Sequence, residues 1–322
     1  MNHNGSIDLA KELIDQAVIC GADAIKFQSF KAENMVVKNA PKAEYQKTSV
    51  SDNISQFDLI SALELKKEDL IFLNNYCKDK IEFICSVFDE ASALLLHELD
   101  INIIKIPSGE ITNFPLLQYL GSLNTKLILS TGMSTMQEIK DALDVLTISG
   151  AQKSNISILH CTSEYPAPFD EVNLSAIKSI KNEFDLNVGY SDHTCGTEIP
   201  IAAVALGAKI IEKHFTLDRE MIGPDHKASA DPNELKTMVN AIRNVEQAIG
   251  NGIKRPTKSE INNIVVVRKS IVAAKNIKKD DLFSEKNLTT KRPAGGISPM
   301  MWSKLIGKKA TKSYVMDEFI EF

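Results

Sequence analysis

Apolar residues recur along this chain at two spacings in turn. Over residues 7–20 they fall three and four apart, with Leu9, Leu13, Ile14 and Val18 on one face, which predicts a helix. A continuous apolar run at 24–30 predicts a strand, and a long polar stretch then reaches to about Leu65. The alternation resumes with a helix over 66–78, a strand over 82–86, a helix over 90–99 and a strand over 102–106. It continues with helix 115–120, strand 126–130, helix 135–149 and strand 155–161. Helix 173–182, strand 187–190, helix 196–206, strand 209–214 and helix 232–249 complete the series. The strands are apolar nearly throughout, as parallel strands covered on both faces require.

The series holds eight helices but seven strands. A (β/α)8 barrel opens with a strand, whereas this sequence opens on the polar Met1-Asn2-His3-Asn4-Gly5-Ser6 and runs straight into a helix. An open seven-stranded doubly wound sheet is the alternative. Against it, no glycine-rich phosphate fingerprint follows the first strand, and polar residues gather at nearly every strand end. The expected fold is α/β: a (β/α)8 TIM barrel lacking its first strand in this sequence, over residues 1–250. Residues 251–264 read as a linker, beginning Asn251-Gly252-Ile253-Lys254-Arg255-Pro256. From about Val265 the runs are short and β-like, so 265–322 is expected to be a small β-rich domain with a limited core. Within it, 277–283 is weakly echoed by 314–320.

Composition narrows the function classes. At 322 residues the chain can bury a large core, and 43% apolar with 25% charged residues is usual for a soluble globular protein. A net charge of −5 speaks against non-specific binding to nucleic acid or an anionic membrane surface. Five cysteines (Cys20, Cys77, Cys85, Cys161 and Cys195) form an odd set without CxxC spacing. That suits reduced thiols in the cytoplasm, not a disulfide framework or a zinc knuckle. No apolar run approaches the roughly 18 residues a membrane span needs. A soluble, cytoplasmic protein is expected.

The strand ends carry the candidate chemistry. Ser191-Asp192-His193 closes one strand, and Glu212-Lys213-His214 closes the next. In a parallel α/β barrel the C-terminal strand ends open onto one mouth, so the two imidazoles would share a cavity. Each His could merely cap its strand, but two at matching positions make a pair of ligands for a divalent transition metal. Lys26 and Gln28 end an earlier strand, Ser86 the next, and Lys105 and Ser108 the third; Ser163, Glu164 and Tyr165 follow another. A lysine inside an apolar strand is costly unless its ammonium finds an anion. It is then either half of a structural ion pair or a seat for a phosphorylated or carboxylated substrate.

Ten segments, taken in order, resemble one family. They are Asn2-His3-Asn4-Gly5, Ile25-Lys26-Phe27-Gln28, Ala40-Pro41-Lys42-Ala43-Glu44-Tyr45-Gln46, Lys105-Ile106-Pro107-Ser108-Gly109-Glu110, Leu129-Ser130-Thr131-Gly132-Met133, Leu159-His160-Cys161-Thr162, Ser191-Asp192-His193, Glu212-Lys213-His214-Phe215, Gly223-Pro224-Asp225-His226 and Lys291-Arg292-Pro293. The chain resembles the sialic acid (N-acetylneuraminate) synthases, which include synthases of related nonulosonic acids such as legionaminic acid. The small C-terminal domain resembles that family's antifreeze-like (SAF) domain.

The resemblance implies condensation of phosphoenolpyruvate with the open-chain aldehyde of N-acetylmannosamine, giving N-acetylneuraminate and phosphate. Legionaminic acid synthesis from 2,4-diacetamido-2,4,6-trideoxymannose is the alternative acceptor. It further implies a divalent cation, Mn²⁺ first with Mg²⁺ or Co²⁺ as substitutes, on His193 and His214. Phosphoenolpyruvate would be held by Lys26, Ser86, Lys105, Ser108, Ser163 and Ser191, and Ser163 stands where some members have Asn. The sugar would meet Gln28, Tyr165, Asp225 and Arg292, and Glu110 with Lys105 would take catalytic roles, Glu110 in proton transfer. A homodimer is implied in which SAF domains are exchanged and Arg292 completes the partner's site. In the family a strand ending in an Ala-Glu-Ile-Gly type sequence precedes Asn-His-Asn-Gly, and its Glu reaches the sugar. This sequence begins after that point, so an open seam in the barrel is expected, and a catalytically impaired barrel that still binds sugar or anions is the alternative reading.

Overall fold

The structure, a computed structural model, describes residues 1–38, 40–41 and 55–321. Part of one family-like segment, residues 42–46, lies outside the described residues. Seven strands form one sheet in chain order: β1 (Ala24–Ser29), β2 (Glu82–Val87), β3 (Ile103–Ile106), β4 (Lys126–Ser130), β5 (Ile156–Cys161), β6 (Asn187–Asp192) and β7 (Ile211–Lys213). Every neighbouring pair is parallel. Helices Ile7–Cys20, Lys67–Cys77, Glu90–Glu98, Phe114–Ser122, Met136–Ile148, Ala176–Phe184, Glu198–Ala205 and Pro232–Ile249 punctuate the strands. The expected alternation is therefore present, with ends displaced by at most three residues.

Local chemistry starts and stops these helices. Ser6 accepts from the Leu9 amide at the start of the first, and Gly21 ends it at φ 81°, a left-handed conformation that suits a residue without Cβ. Thr135 and Glu138 cap Met136–Ile148 reciprocally. Two short helices, Ala32–Met35 and Gln56–Ser61, lie in the stretch read as merely polar.

Side chains alternate across each strand, so two faces form. The outer face, including Phe27, Phe83, Ile104, Ile106, Leu129 and Val188, packs with the helices into the main core. The inner face carries polar groups toward the C-terminal strand ends. Among the described residues no strand pairs with the free edges of β1 and β7, and a cavity of about 520 Å³ lies between them. Leu13, Ala17, Ile25, Val204, Met238 and Ile242 line it. The helical layer does close there: Pro232–Ile249 packs on both Ile7–Cys20 and Glu198–Ala205, and Cys20, Val204, Leu235, Met238 and Ile242 make one buried cluster. This is a (β/α) barrel with its wall open at the position of the first strand, as the strand count predicts.

A second compact unit spans Asn251–Phe322. Residues 251–264, read as a linker, contain most of a helix, Lys258–Val267, started by a capping box between Thr257 and Glu260. Then β8 (Ser270–Ala273) and β9 (Leu288–Lys291) pair antiparallel over a small core of Ile271, Ile277, Phe283, Leu305, Tyr314 and Ile320. The internal echo is structural. Ile277 and Tyr314 bridge each other, Asp280 and Asp317 both adopt φ 71°, and Asp281 and Glu318 each accept from the backbone amide three residues earlier. Among the described residues no helix is long and apolar enough to cross a membrane, and the five cysteines are unpaired.

Candidate active site

The ends of β1, β3, β6 and β7 converge on one carboxylate. Glu212 accepts from Lys26 Nζ and from Ser191 Oγ, each at 2.9 Å. Lys105, 2% exposed, donates to its neighbour's carbonyl, Ile106 O, at 3.0 Å and feels the Glu212 charge. Burial alone would raise the Glu212 carboxyl. The Lys105 and Lys26 ammoniums, with the hydrogen bonds from Lys26 and Ser191, instead hold it well below the usual carboxylate range. Burial pushes the Lys105 ammonium down to about 8, Glu212 resisting and Lys26 assisting. Lys26 and Lys105 thus face the Glu212 carboxylate at the mouth, and the Asp225 carboxyl also feels the Lys26 charge.

The two imidazoles stand beside this group. The His193 and His214 rings are 5.5 Å apart, centre to centre, and nearly perpendicular. His193 Nδ1 lies 2.7 Å from Thr162 O, an arrangement in which Nδ1 carries the proton and Nε2 keeps its lone pair. His214 Nδ1 is 3.5 Å from Asp225 Oδ2. Burial lowers both, His193 to about 4 with help from His214, and His214 to about 3 with help from Lys26. Both rings are therefore neutral near pH 7, the form that ligates a metal. Imidazole nitrogens sit about 2.0–2.1 Å from a bound zinc ion, so rings at this separation can share an ion of similar size. Among the described residues no set of three or more His, Cys, Asp or Glu side chains is grouped for a metal, which makes this an open pair. The donor set fits a weakly held, exchangeable divalent cation.

Tyr165 leans over the pair, its ring 4.1 Å from that of His193 and 5.5 Å from that of His214. The Ala167 amide bonds His193 O at 2.9 Å and ties this loop to the end of β6. Asp225, 6% exposed and with its carboxyl raised by burial, completes that wall. On another side the Gly132 amide donates to Ser108 Oγ at 2.9 Å, and a Cβ on Gly132 would fall 2.0 Å from Ser163 Oγ. Ser108, Gly132 and Ser163 thus crowd around one small space. Gln28 and Ser86 are register partners across β1 and β2, and Ser86 and Lys105 across β2 and β3.

Two further expected residues have these surroundings. Glu110 lies in the short turn Ser108–Glu110, where it accepts from Asn113 Nδ2 at 2.7 Å, and burial together with Asp89 raises its carboxyl. Arg292 belongs to the second unit and is exposed there. Sequence reasoning gives no role to three residues at the mouth. Glu212 sits in a strand whose apolar neighbours dominate its pattern, although an acid beside Lys213 and His214 is a readable signal. Cys161, whose Sγ lies 3.8 Å from His193 Nδ1, is read there as a reduced thiol, and Gly132 only as part of a family-like segment. The Asn-His-Asn-Gly segment has a different task. Asn2 Nδ2 donates to Phe215 O at 2.8 Å and Ser229 Oγ at 2.7 Å, and Asn4 Nδ2 to Ile222 O at 2.9 Å, pinning the loop after β7.

Comparison with known proteins agrees with this architecture. The sequence pattern of the NeuB family matches residues 13–254, and that of the SAF domain residues 268–320. The chain is 54% identical over 323 residues to an N,N'-diacetyllegionaminic acid synthase of Campylobacter jejuni, covering 99% of this chain and 96% of that protein. A protein of the same name from Legionella pneumophila is 44% identical, with 96% and 88% covered. Among solved structures, an N-acetylneuraminic acid (sialic acid) synthetase of Leptospira borgpetersenii in complex with citrate superposes with a TM-score of 0.71 at 35% identity, covering 82% of this chain and 87% of that one.

Proposed function

This chain belongs to the NeuB family and carries a SAF domain, and from that premise we propose that it is a nonulosonic acid synthase whose acceptor is a 2,4-diacetamido-2,4,6-trideoxymannose. The acceptor rests on the two relatives named as N,N'-diacetyllegionaminic acid synthases, at 54% and 44% identity over nearly the whole chain. N-acetylmannosamine is the second candidate, favoured by the likeness to the sialic acid synthetase. The observation that carries the reaction class is the mouth itself, with two ammoniums around one carboxylate next to a neutral imidazole pair.

The chemistry this geometry supports begins with binding. Lys26 and Lys105 offset the charge of phosphoenolpyruvate, and the hydroxyls of Ser86, Ser108 and Ser163, with that of Ser191 once turned from Glu212, donate to its phosphate and carboxylate oxygens. The enol carbon then attacks the sugar aldehyde, forming the new C–C bond, and the aldehyde oxygen takes a proton. A divalent cation on His193 and His214, Mn²⁺ by preference, would supply Lewis acidity toward that aldehyde oxygen. Water adds to the oxocarbenium carbon, and collapse of the tetrahedral adduct breaks the C–O bond to release phosphate. In this proposal Glu110, its carboxyl raised by burial, takes part in proton transfer, and Gln28, Tyr165 and Asp225 position the sugar.

Assembly belongs to the same proposal. Asn251–Phe322 holds 15 Lys and Arg against 7 Asp and Glu, a balance of +8, whereas Met1–Gly250 holds 22 against 35, a balance of −13. Opposite charges of this size favour docking of the small unit on a barrel, and a two-fold dimer with exchanged units would bring Arg292 to the partner's sugar site.

Phosphate release from phosphoenolpyruvate, followed with each sugar in the presence of Mn²⁺, tests the reading. The diacetamido sugar should show a kcat/KM at least about tenfold above that of N-acetylmannosamine, roughly 1.4 kcal/mol of discrimination. Preference for N-acetylmannosamine would overturn the acceptor, and no phosphate release with either sugar would overturn the reaction.

A further inference from the structure

Behind the imidazole pair, on the opposite face of the same two strands, lies a buried ion pair. Asp192 and Lys213 are the last residues of β6 and β7 and stand directly opposite each other in the register. Their side chains are 0% and 3% exposed, and Lys213 Nζ donates to Asp192 Oδ2. The hold continues past the strand ends. Asp192 Oδ1 accepts from the Thr194 amide at 3.1 Å and from Thr194 Oγ1 at 2.9 Å, and Lys213 Nζ donates to Thr194 O at 2.7 Å. The residues on either side of His193 are thereby tied to the residue preceding His214.

We propose that the Asp192–Lys213–Thr194 cluster is a positioning clamp that fixes the register of β7 against β6 and so sets His193 against His214. A buried ion pair seldom adds net stability over packed hydrocarbon, and fixing a register is its best-attested use. β7 needs such a device. It has three residues, and among the described residues it pairs with β6 on one edge only. Because side chains alternate, a slip of one residue would turn Glu212 and His214 into the helical layer and bring Lys213 into the mouth. Opposed charges occur across these strands in one register alone, where Asp192 meets Lys213. The clamp would thereby also hold Glu212 between Lys26 and Ser191.

The clamp rests on the proposed metal reading for one of its two readouts, so both are measured. The double variant Asp192→Leu/Lys213→Met keeps side-chain volume and removes both charges. Its melting temperature is expected at or above that of the wild-type full chain. Amide exchange over residues 209–216 should nevertheless accelerate about tenfold, and Co²⁺, whose d–d absorption reports imidazole ligation, should bind roughly 10–100-fold more weakly. Unchanged exchange over 209–216 in the folded double variant would overturn the clamp. Failure of the wild type to bind Co²⁺ would refute the metal reading while exchange still judged the clamp. If the double variant does not fold, Asp192→Asn removes the charge with little change of shape and must show accelerated exchange; unchanged exchange there overturns the proposal equally.

Discussion

Replacing Lys105 by Met should make the protein more stable and unable to bind its anionic substrate. Lys105 is 2% exposed, and burial, partly offset by Glu212, lowers its ammonium from 10.5 to about 8. The folded state therefore holds the charged form less favourably than the unfolded chain does. The gap between those two values corresponds to about 3 kcal/mol, at roughly 1.36 kcal/mol for each pH unit that separates them. Met fills a similar volume without charge. It gives up the hydrogen bond to Ile106 O, worth about 1 kcal/mol, so the free variant should gain roughly 2 kcal/mol at pH 7. The pH dependence identifies the cause. A base whose folded value is depressed costs its full amount below about pH 8, and the cost fades as pH rises from 8 toward 10.5 because the folded protein releases the proton first. The advantage of Lys105→Met should accordingly shrink above pH 8 and vanish or reverse by pH 10.5. Urea denaturation at pH 7, 8.5 and 10 measures it. Phosphoenolpyruvate should raise the stability of the wild type but not of the variant. A variant less stable than wild type at pH 7, or a difference that does not change with pH, would refute the reasoning.

His193→Ala should abolish turnover and weaken Mn²⁺ binding measured without substrates, and a variant with wild-type turnover and metal affinity would remove the imidazole pair from the mechanism. Gly132→Ala places a methyl 2.0 Å from Ser163 Oγ and 2.9 Å from Ser108 Oγ, so the KM for phosphoenolpyruvate should rise at least about tenfold with little change in melting temperature. An unchanged KM would mean that these hydroxyls do not meet the substrate. Arg292→Ala should raise the sugar KM far more than that of phosphoenolpyruvate, and mixing it with His193→Ala chains should recover part of the activity once subunit exchange is verified with differently tagged chains. Exchange without recovery would place Arg292 outside a shared site.

The strands are legible in the sequence because their short apolar runs alternate with stretches of helical spacing, and the seam because a barrel reading leaves eight helices to seven strands. Lys258–Val267 escapes because its apolar run, Ile261 with Ile264 to Val267, follows a Gly- and Pro-bearing stretch; the Thr257-Glu260 capping box is its signal. The Asn-His-Asn-Gly segment can be recognised but not explained, since its partners lie more than 200 residues away and only the fold brings them together.

The site shows a deeper limit. A lysine in an apolar strand calls for an anion, and that requirement is met either by the protein or by a substrate. Here both answers hold at once. Glu212 takes the protein's share, binding Lys26 and facing Lys105 from a strand only three residues long. Burial lowers the Lys105 ammonium to about 8 against the pull of Glu212, so its charge carries an unmet demand for an anion. An arriving phosphate or carboxylate would meet it, so the buried charge that costs stability in the free protein becomes binding free energy in the complex. Counting lysines finds the demand for anions. Register finds how much of it the fold has already met, because the pairing of Ser191 with Glu212 across β6 and β7 is what brings the carboxylate to the mouth.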